Sequence, residues 1–205
     1  MNLTKTFIIL LLPFIWLRNA SSQSDSTKHY DAPIITVAQW GGTPAQDTLR
    51  LHEIKFITLH HGGEEFKQDK DFATYLVNLQ NWSRGEKKWI DIPYHYLIDF
   101  EGKIYEGRDI RYAGDTNTAY DPTGHALVCL PGNYEIQESN DKQLRAVIDI
   151  CVWLCLKYKL SPEVIKGHKD VAEGTVCPGK NLYAFLENGF IKKEVAQRLK
   201  EFKRN

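Results

Sequence analysis

Short apolar runs, which are typical of buried strands, alternate along this chain with longer amphipathic patterns, which are typical of helices. The run from Ile54 to Leu59 is rich in β-branched and aromatic residues and predicts a buried strand. Strand patterns from Tyr94 to Phe100 and from Lys103 to Glu106 flank Glu101-Gly102, which predicts a hairpin. The run from Ala126 to Leu130 predicts a further strand.

Three helical patterns lie between and after these strands. Apolar residues recur at helical spacing from Phe72 to Trp82, and again from Leu144 to Tyr158, where Ser161-Pro162 stops the pattern. A third pattern covers about Leu182 to Phe202. Because strand and helix patterns alternate through a single length of chain, we expect an α/β or mixed α+β fold. Its single central mixed sheet would be flanked by about three helices.

The N-terminal segment differs from the rest of the chain. An apolar run of eleven residues, Phe7 to Leu17, follows a lysine and precedes small polar residues. The run is shorter than the roughly 20 residues that cross a bilayer, and it matches a secretory signal. We therefore predict a signal peptide over residues 1–22, a polar tether over 23–34 and one domain over 35–205. An uncleaved anchor is the alternative to a secreted or periplasmic protein without stable membrane insertion.

The charge balance argues against one class of partner. The chain has 26 Lys and Arg residues against 26 Asp and Glu residues, and loss of residues 1–22 removes Lys5 and Arg18. The remaining chain has no basic excess of the kind that marks nucleic-acid-binding surfaces. Four cysteines are too few for a disulfide scaffold. We expect a monomer with no nucleic-acid partner.

Residues that could hold a metal ion occur in two segments far apart in the sequence. His60 and His61 end the first predicted strand, and successive strand residues point to opposite faces, so only one of them can face a given site. His168 and Cys177 share the loop from Gly167 to Gly179. Two imidazoles and a thiolate would give zinc three protein ligands and leave a fourth position for water. Spacing alone does not join the two segments, and a lone His or Cys is more often structural.

Five pieces of the chain between residues 35 and 188 resemble, in the same order, motifs of one superfamily. This is the peptidoglycan recognition protein and type 2 N-acetylmuramoyl-L-alanine amidase superfamily, which includes the phage lysozyme-type amidases. The pieces are the tryptophan-glycine motif Ala38 to Gly42, the strand and histidine pair Ile57 to His61, the hairpin Ile92 to Arg108, the strand Ala126 to Leu130 and the loop Gly167 to Gly179.

The resemblance implies a zinc-dependent amidase that cuts the bond between the lactyl group of N-acetylmuramic acid and L-alanine in peptidoglycan. The family's zinc ligands correspond here to His60, His168 and Cys177, and its catalytic tyrosine corresponds to Tyr94. Thr175 stands where phage enzymes carry a lysine and many animal relatives a threonine, and its hydroxyl would support an oxyanion. Zn²⁺ is the implied cofactor, and peptidoglycan or a muropeptide is the implied substrate.

Several positions depart from the family pattern. The interval between the second and third ligands is one residue longer than in close relatives, and Gly174 could absorb the extra residue. Tyr112 replaces the family's usual pocket histidine. Cys129 stands where some relatives use a glutamate as general base, so Tyr94 must carry more of the general-base catalysis.

Two further functions stay open at this stage. One is a non-catalytic peptidoglycan-binding module, and the other is a zinc hydrolase that acts on a different amide. Receptors of this superfamily that have lost activity typically lack the ligand cysteine. The presence of Cys177 together with Tyr94 therefore favours the enzyme.

Overall fold

The computed structural model describes Tyr30 and residues 32–45 and 50–204. The predicted signal peptide and most of the predicted tether lie outside the described residues. Tyr30, which lies within the predicted tether, donates a hydrogen bond to Asp149 Oδ1 at 3.1 Å and packs edge-on against Phe202. Ala32 is buried and Ile34 opens the first strand, so the folded domain begins before residue 35.

Six strands form one sheet: β1 (Ile34–Ile35), β2 (Phe56–His61), β3 (Tyr96–Ile98), β4 (Ile104–Glu106), β5 (His125–Leu130) and β6 (Ile165–Gly167). They lie in the order β1-β4-β3-β5-β2-β6. The β3–β4 pair is the antiparallel hairpin that the sequence predicts, and the other neighbouring pairs in the described sheet are parallel. The fold is therefore a mixed α/β architecture around a single mixed sheet, as expected.

Four helices, one more than expected, pack on this sheet within the described residues. The segment from Leu182 to Phe202, predicted as one helix, forms two, because the chain turns at Gly189. The φ of Gly189 is 75°, in the left-handed region that glycine tolerates. The second helix begins at a capping box that Asn140 and Gln143 form. The helices are α1 (Phe72–Gly85), α2 (Asp141–Tyr158), α3 (Lys180–Glu187) and α4 (Phe190–Arg204).

The first long strand lies two residues further along the chain than predicted. β2 pairs with β5 from Phe56 opposite His125 to His61 opposite Leu130, so both histidines of the pair belong to the strand. Every residue of β5 is buried, as expected for a parallel strand that is covered on both faces. The sheet therefore holds the backbone of the histidine pair rigidly at its edge.

Two hydrophobic clusters cover the two faces of the sheet. On one face α2 buries Val147, Ile150 and Leu154 against the central strands, and α3 and α4 complete this cluster. On the other face α1 buries Phe72 and Leu76. Each fully buried side chain of this kind contributes about 1.5–3 kcal/mol to folding, so the sheet is a stable base for the loops at its edge. None of the described helices combines the length and the apolar character that a membrane crossing requires.

A buried arginine joins two loops beside the sheet. Arg108 has only 1% of its side chain exposed, and it forms an ion pair with Asp115. It also donates hydrogen bonds to the carbonyl oxygens of Ile92 at 2.9 Å, Ala113 at 2.6 Å and Asp91 at 2.9 Å. The guanidinium thus fixes the segment before β3 to the segment that leads toward β5.

A buried histidine makes the domain sensitive to acid. His95 Nδ1 accepts a hydrogen bond from the Leu127 amide at 2.9 Å, and Nε2 donates one to the Tyr112 carbonyl at 3.0 Å. Burial lowers the pKa of His95 to about 3, against about 6.5 for an unfolded chain. Below pH 6.5 the unfolded state therefore binds a proton at His95 that the folded state does not bind. The free energy of unfolding falls as the pH falls toward 3.

We expect this single histidine to remove about 2 kcal/mol of stability between pH 7 and pH 5. Urea unfolding at both pH values measures the loss in the wild type and in His95→Gln, which cannot titrate. His125, whose pKa burial lowers to about 4, acts in the same direction in both proteins and cancels in the comparison. An equal pH dependence of the two proteins would contradict the prediction.

Candidate metal centre

Three side chains that can bind a metal ion meet at one edge of the sheet. His60, His168 and Cys177 are buried, and each offers one ligand atom, all within 4.8 Å of one another. β2 and β6 are parallel neighbours, so both end at the same edge. β2 carries His60 near its end, and a single 3-10 turn beginning at His168 follows β6 directly. The topology thus brings together the two segments that sequence spacing alone could not join.

The distances within this set fit zinc. His60 Nδ1 lies 3.6 Å from Cys177 Sγ, and the rings of His60 and His168 are 4.4 Å apart between centroids. In a tetrahedral site with Zn–S of about 2.3 Å and Zn–N of about 2.0–2.1 Å, sulfur and nitrogen lie about 3.6 Å apart. His60 Nε2 is buried and has no hydrogen-bond partner in the described part of the chain.

Burial also sets the protonation of the three side chains. Burial lowers the pKa of His60 well below its usual range and that of His168 to about 4, so both imidazoles are neutral, as metal ligands must be. Burial raises the pKa of the Cys177 thiol to about 12, while the His61 amide donates a hydrogen bond to its sulfur at 3.3 Å. Binding of a metal cation would therefore release a proton from this thiol.

His61 has a structural role on the other side of its strand. Its Nδ1 accepts a hydrogen bond from the Tyr134 amide at 3.2 Å. The alternation of side chains along β2 explains why His60 joins the metal ligands and His61 does not.

Tyr94 lies beside the candidate ligands, just before β3. Its ring centroid is 5.3 Å from that of His60, and it helps to line the cavity of about 200 Å³ that contains the three ligands. Burial raises the pKa of Tyr94 well above its usual value, and the nearby Cys129 and Cys177 raise it further. Cys129 lies opposite His60 in the β2–β5 register. The phenol is therefore neutral, which suits a hydrogen-bond donor better than a base.

Thr175 lines the same cavity, and the loop geometry explains how it does so. Gly174 has a φ of 72°, and this left-handed residue accommodates the long interval between His168 and Cys177. Thr175 Oγ1 accepts a hydrogen bond from the Cys177 amide at 3.1 Å. Its own hydroxyl proton remains available for a second acceptor in the cavity.

Tyr112 does not take the place of a pocket histidine. Its side chain is 7% exposed and lines a separate cavity of about 300 Å³, together with Glu106 and Asp109. Trp40 is also buried, and its indole donates a hydrogen bond to the Glu106 carbonyl at 2.7 Å. Neither side chain lines the cavity of the candidate ligands.

A larger cleft opens beside the metal-ligand cavity and runs along α1. It has a volume of about 530 Å³, and it shares Gly62 and Asn117 with the smaller cavity. The Lys87 ammonium donates a hydrogen bond to Asn117 Oδ1 at 2.7 Å and lies 5.4 and 5.5 Å from the rings of Trp82 and Trp89. The cleft is large enough for an extended ligand that reaches the candidate metal centre.

Sequence reasoning missed a polar contact of the candidate ligands. Thr118 Oγ1 lies 2.9 Å from His168 Nε2. Thr118 belongs to a polar loop without periodicity, and no signal in the sequence marks it as a neighbour of His168.

A mixed sheet with a buried His₂Cys set at its edge, beside an open cleft, defines this protein as a domain of the amidase and peptidoglycan recognition class. The family model described as N-acetylmuramoyl-L-alanine amidase matches residues 50–180. The chain belongs to this family, which confirms the family that the sequence motifs predict.

Curated relatives and solved structures agree with this family. The chain is 30% identical over 165 residues to peptidoglycan-recognition protein SD of Drosophila simulans, which covers 77% of this chain and 86% of that protein. It is 26% identical over 159 residues to peptidoglycan recognition protein 1 of Mus musculus, over 76% of this chain and 86% of that protein. The crystal structure of Drosophila peptidoglycan recognition protein SD superposes with a TM-score of 0.68 at 28% identity, over 77% of this chain and 94% of that one.

Proposed function

We propose that this protein is a zinc-dependent N-acetylmuramoyl-L-alanine amidase that hydrolyses the amide between the lactyl group and L-alanine of peptidoglycan. The observation that carries the proposal is the buried convergence of His60, His168 and Cys177 beside the neutral phenol of Tyr94. A module that only binds peptidoglycan needs a cleft, but it does not need a complete ligand set. The non-catalytic module is the second candidate, since the relatives are named for recognition.

The substrate class rests on the family and on the cleft. One similar solved structure, at 25% identity and a TM-score of 0.68, is the ectodomain complex of peptidoglycan recognition proteins LCa and LCx bound to tracheal cytotoxin. The cleft along α1 leads into the cavity of the candidate ligands through Gly62 and Asn117. A peptide stem lying in this cleft would bring its first amide to the candidate metal centre.

The residues of the site would have two roles, metal binding and hydrogen-bond donation to the substrate. His60, His168 and Cys177 would hold the ion, and zinc, when bound, supplies a Lewis acid and lowers the pKa of a bound water. The Tyr94 phenol keeps its proton and can donate it in a hydrogen bond to the oxygen that gains charge at the scissile carbonyl. Thr175 can supply a second neutral donor from the adjacent loop.

We also propose that the protein acts outside the cytoplasm, as a monomer, after removal of residues 1–22. The proposal rests on the N-terminal sequence pattern. N-terminal sequencing of the exported protein tests it: a mature chain that begins near Gln23 supports the proposal, and an intact Met1 in a membrane fraction contradicts it.

Digestion of purified peptidoglycan tests the proposed reaction. The zinc-loaded wild type is incubated with peptidoglycan and the soluble products are identified by mass spectrometry. Free stem peptides that begin with L-alanine are expected. Retention of the protein on peptidoglycan without any release would favour the binding module, and release at a different amide would contradict the assigned bond.

Tyr94→Phe should lower turnover by about 100-fold or more while zinc content stays unchanged, because the variant loses a donor to the reacting group and no ligand. Turnover is measured on a muropeptide and zinc by elemental analysis. Tyr158→Phe, at the end of α2, removes a partly buried phenol hydroxyl away from the cavity and is the control. Normal turnover in Tyr94→Phe would show that the assigned role is wrong.

A further inference from the structure

Within the described residues, the ring of His168 is packed on two sides and makes one hydrogen bond. The His60 ring lies 4.4 Å away and the Tyr120 ring 5.1 Å away, between centroids. Ring packing of this kind fixes the plane of an imidazole, but it does not distinguish the two nitrogens. Thr118 Oγ1, 2.9 Å from Nε2, is the contact that does so.

We propose that Thr118 is a positioning residue that accepts a hydrogen bond from Nε2–H of His168 and thereby presents Nδ1 to the metal ion. The inference rests on the proposed zinc site. In metal sites a second partner of a ligating histidine commonly fixes its tautomer and orientation. Here that partner is a hydroxyl from a loop that contributes no ligand of its own.

The hydrogen bonds around Thr118 are compatible with this direction. Thr118 Oγ1 lies 2.9 Å from Thr116 Oγ1, and Thr116 Oγ1 also accepts the Thr118 amide at 3.2 Å. If Thr118 donates its hydroxyl proton to Thr116, its lone pairs remain free to accept from His168 Nε2–H. Thr116 has the two lone pairs that this arrangement requires. In this arrangement the Thr118 hydroxyl both donates to Thr116 and accepts from His168 when His168 carries its proton on Nε2.

The loop that carries Thr118 is anchored in the domain. Asp115 forms an ion pair with the buried Arg108 and accepts a hydrogen bond from Arg50 Nη1 at 2.9 Å. The Asp115 amide also donates to the Pro93 carbonyl at 3.3 Å. These contacts hold Asp115 in place, and Asp115 lies three residues before Thr118. The Thr118 hydroxyl can therefore hold the His168 ring in a fixed orientation.

Zinc affinity of the full domain tests this role without reference to catalysis. Thr118→Val has nearly the same shape without the hydroxyl, and Thr118→Ser keeps the hydroxyl. Competition with a chromophoric chelator should show zinc binding weakened by about 10–100-fold in Thr118→Val and close to the wild-type value in Thr118→Ser. Equal zinc affinities in the wild type and Thr118→Val would overturn the proposal.

A second measurement uses the wild type alone and does not depend on the fold of a variant. Nitrogen-15 NMR of the metal-free domain reports which ring nitrogen of His168 carries the proton. A predominant Nε2–H tautomer supports the proposal, and a predominant Nδ1–H tautomer overturns it.

These results are separable from the proposed enzyme activity. If the wild type binds zinc and leaves peptidoglycan intact, the amidase proposal fails while the Thr118 comparison still stands. If the wild type does not bind zinc, the Thr118 proposal fails together with the metal site.

Discussion

Cys177→Ala should lose zinc and reduce amidase turnover by more than about 1,000-fold, because the Lewis acid and the activated water are lost together. Cys177 is the one candidate ligand that can become an anion, and its sulfur lies 3.6 Å from His60 Nδ1. The variant keeps two neutral imidazoles, His60 and His168, which are a weak site for a doubly charged ion. Elemental analysis of the purified protein and mass spectrometry of digested peptidoglycan measure the two effects.

Cys155→Ala is the matched control for this substitution. Both cysteines are buried free thiols, but Cys155 lies on α2 among the apolar residues that cover the opposite face of the sheet. The control loses a similar amount of buried sulfur and should keep its zinc and its turnover. Undiminished zinc binding by Cys177→Ala would remove Cys177 from the ligand set, and equal losses in both variants would indicate damage to the fold instead.

Arg108→Met should lower the free energy of unfolding by about 3–5 kcal/mol, as expected when one partner of a buried ion pair is removed. Methionine fills much of the volume but donates no hydrogen bond. The variant leaves the carbonyl oxygens of Ile92, Ala113 and Asp91 without their donor. The Asp115 carboxylate loses its buried cation and keeps only the more exposed Arg50. Urea unfolding near neutral pH measures the loss.

Arg111→Met provides the comparison for the buried pair. Arg111 also pairs with an aspartate, Asp109, but its side chain is 70% exposed. Exposed pairs of this kind contribute little to stability, because water screens both charges and competes for the same hydrogen bonds. If both substitutions lowered the free energy of unfolding equally, burial would not explain the contribution of Arg108.

The first candidate ligand could be placed from local sequence. An apolar run that ends in two histidines predicts a strand with one histidine on each face, and β2 has this form. His168 and Cys177 could be joined to His60 only through the order of family motifs. The physical reason is that the pairing of β2 with β6 brings them together, and β6 is three residues long, too short to show a period.

Other features depend on single residues in loops, where no periodic pattern exists. The break between α3 and α4 follows from the left-handed backbone of Gly189, although the apolar pattern continues on both sides of it. Thr118 meets His168 because Arg108 and Arg50 hold Asp115, a tertiary arrangement that local sequence does not encode. Tyr112 stands at a family pocket position, but its side chain turns into a different cavity.

The order of the three ligands along the chain has a consequence for the assembly of the domain. His60 belongs to the second strand, whereas Cys177 lies 117 residues later, beyond the last strand of the described sheet. A nascent chain that has emerged only as far as β5 therefore carries one ligand of the three. Zinc retention would therefore report that β6 has paired with the sheet. The bound ion would also stabilise the attachment of the C-terminal third of the chain to the strands that precede it.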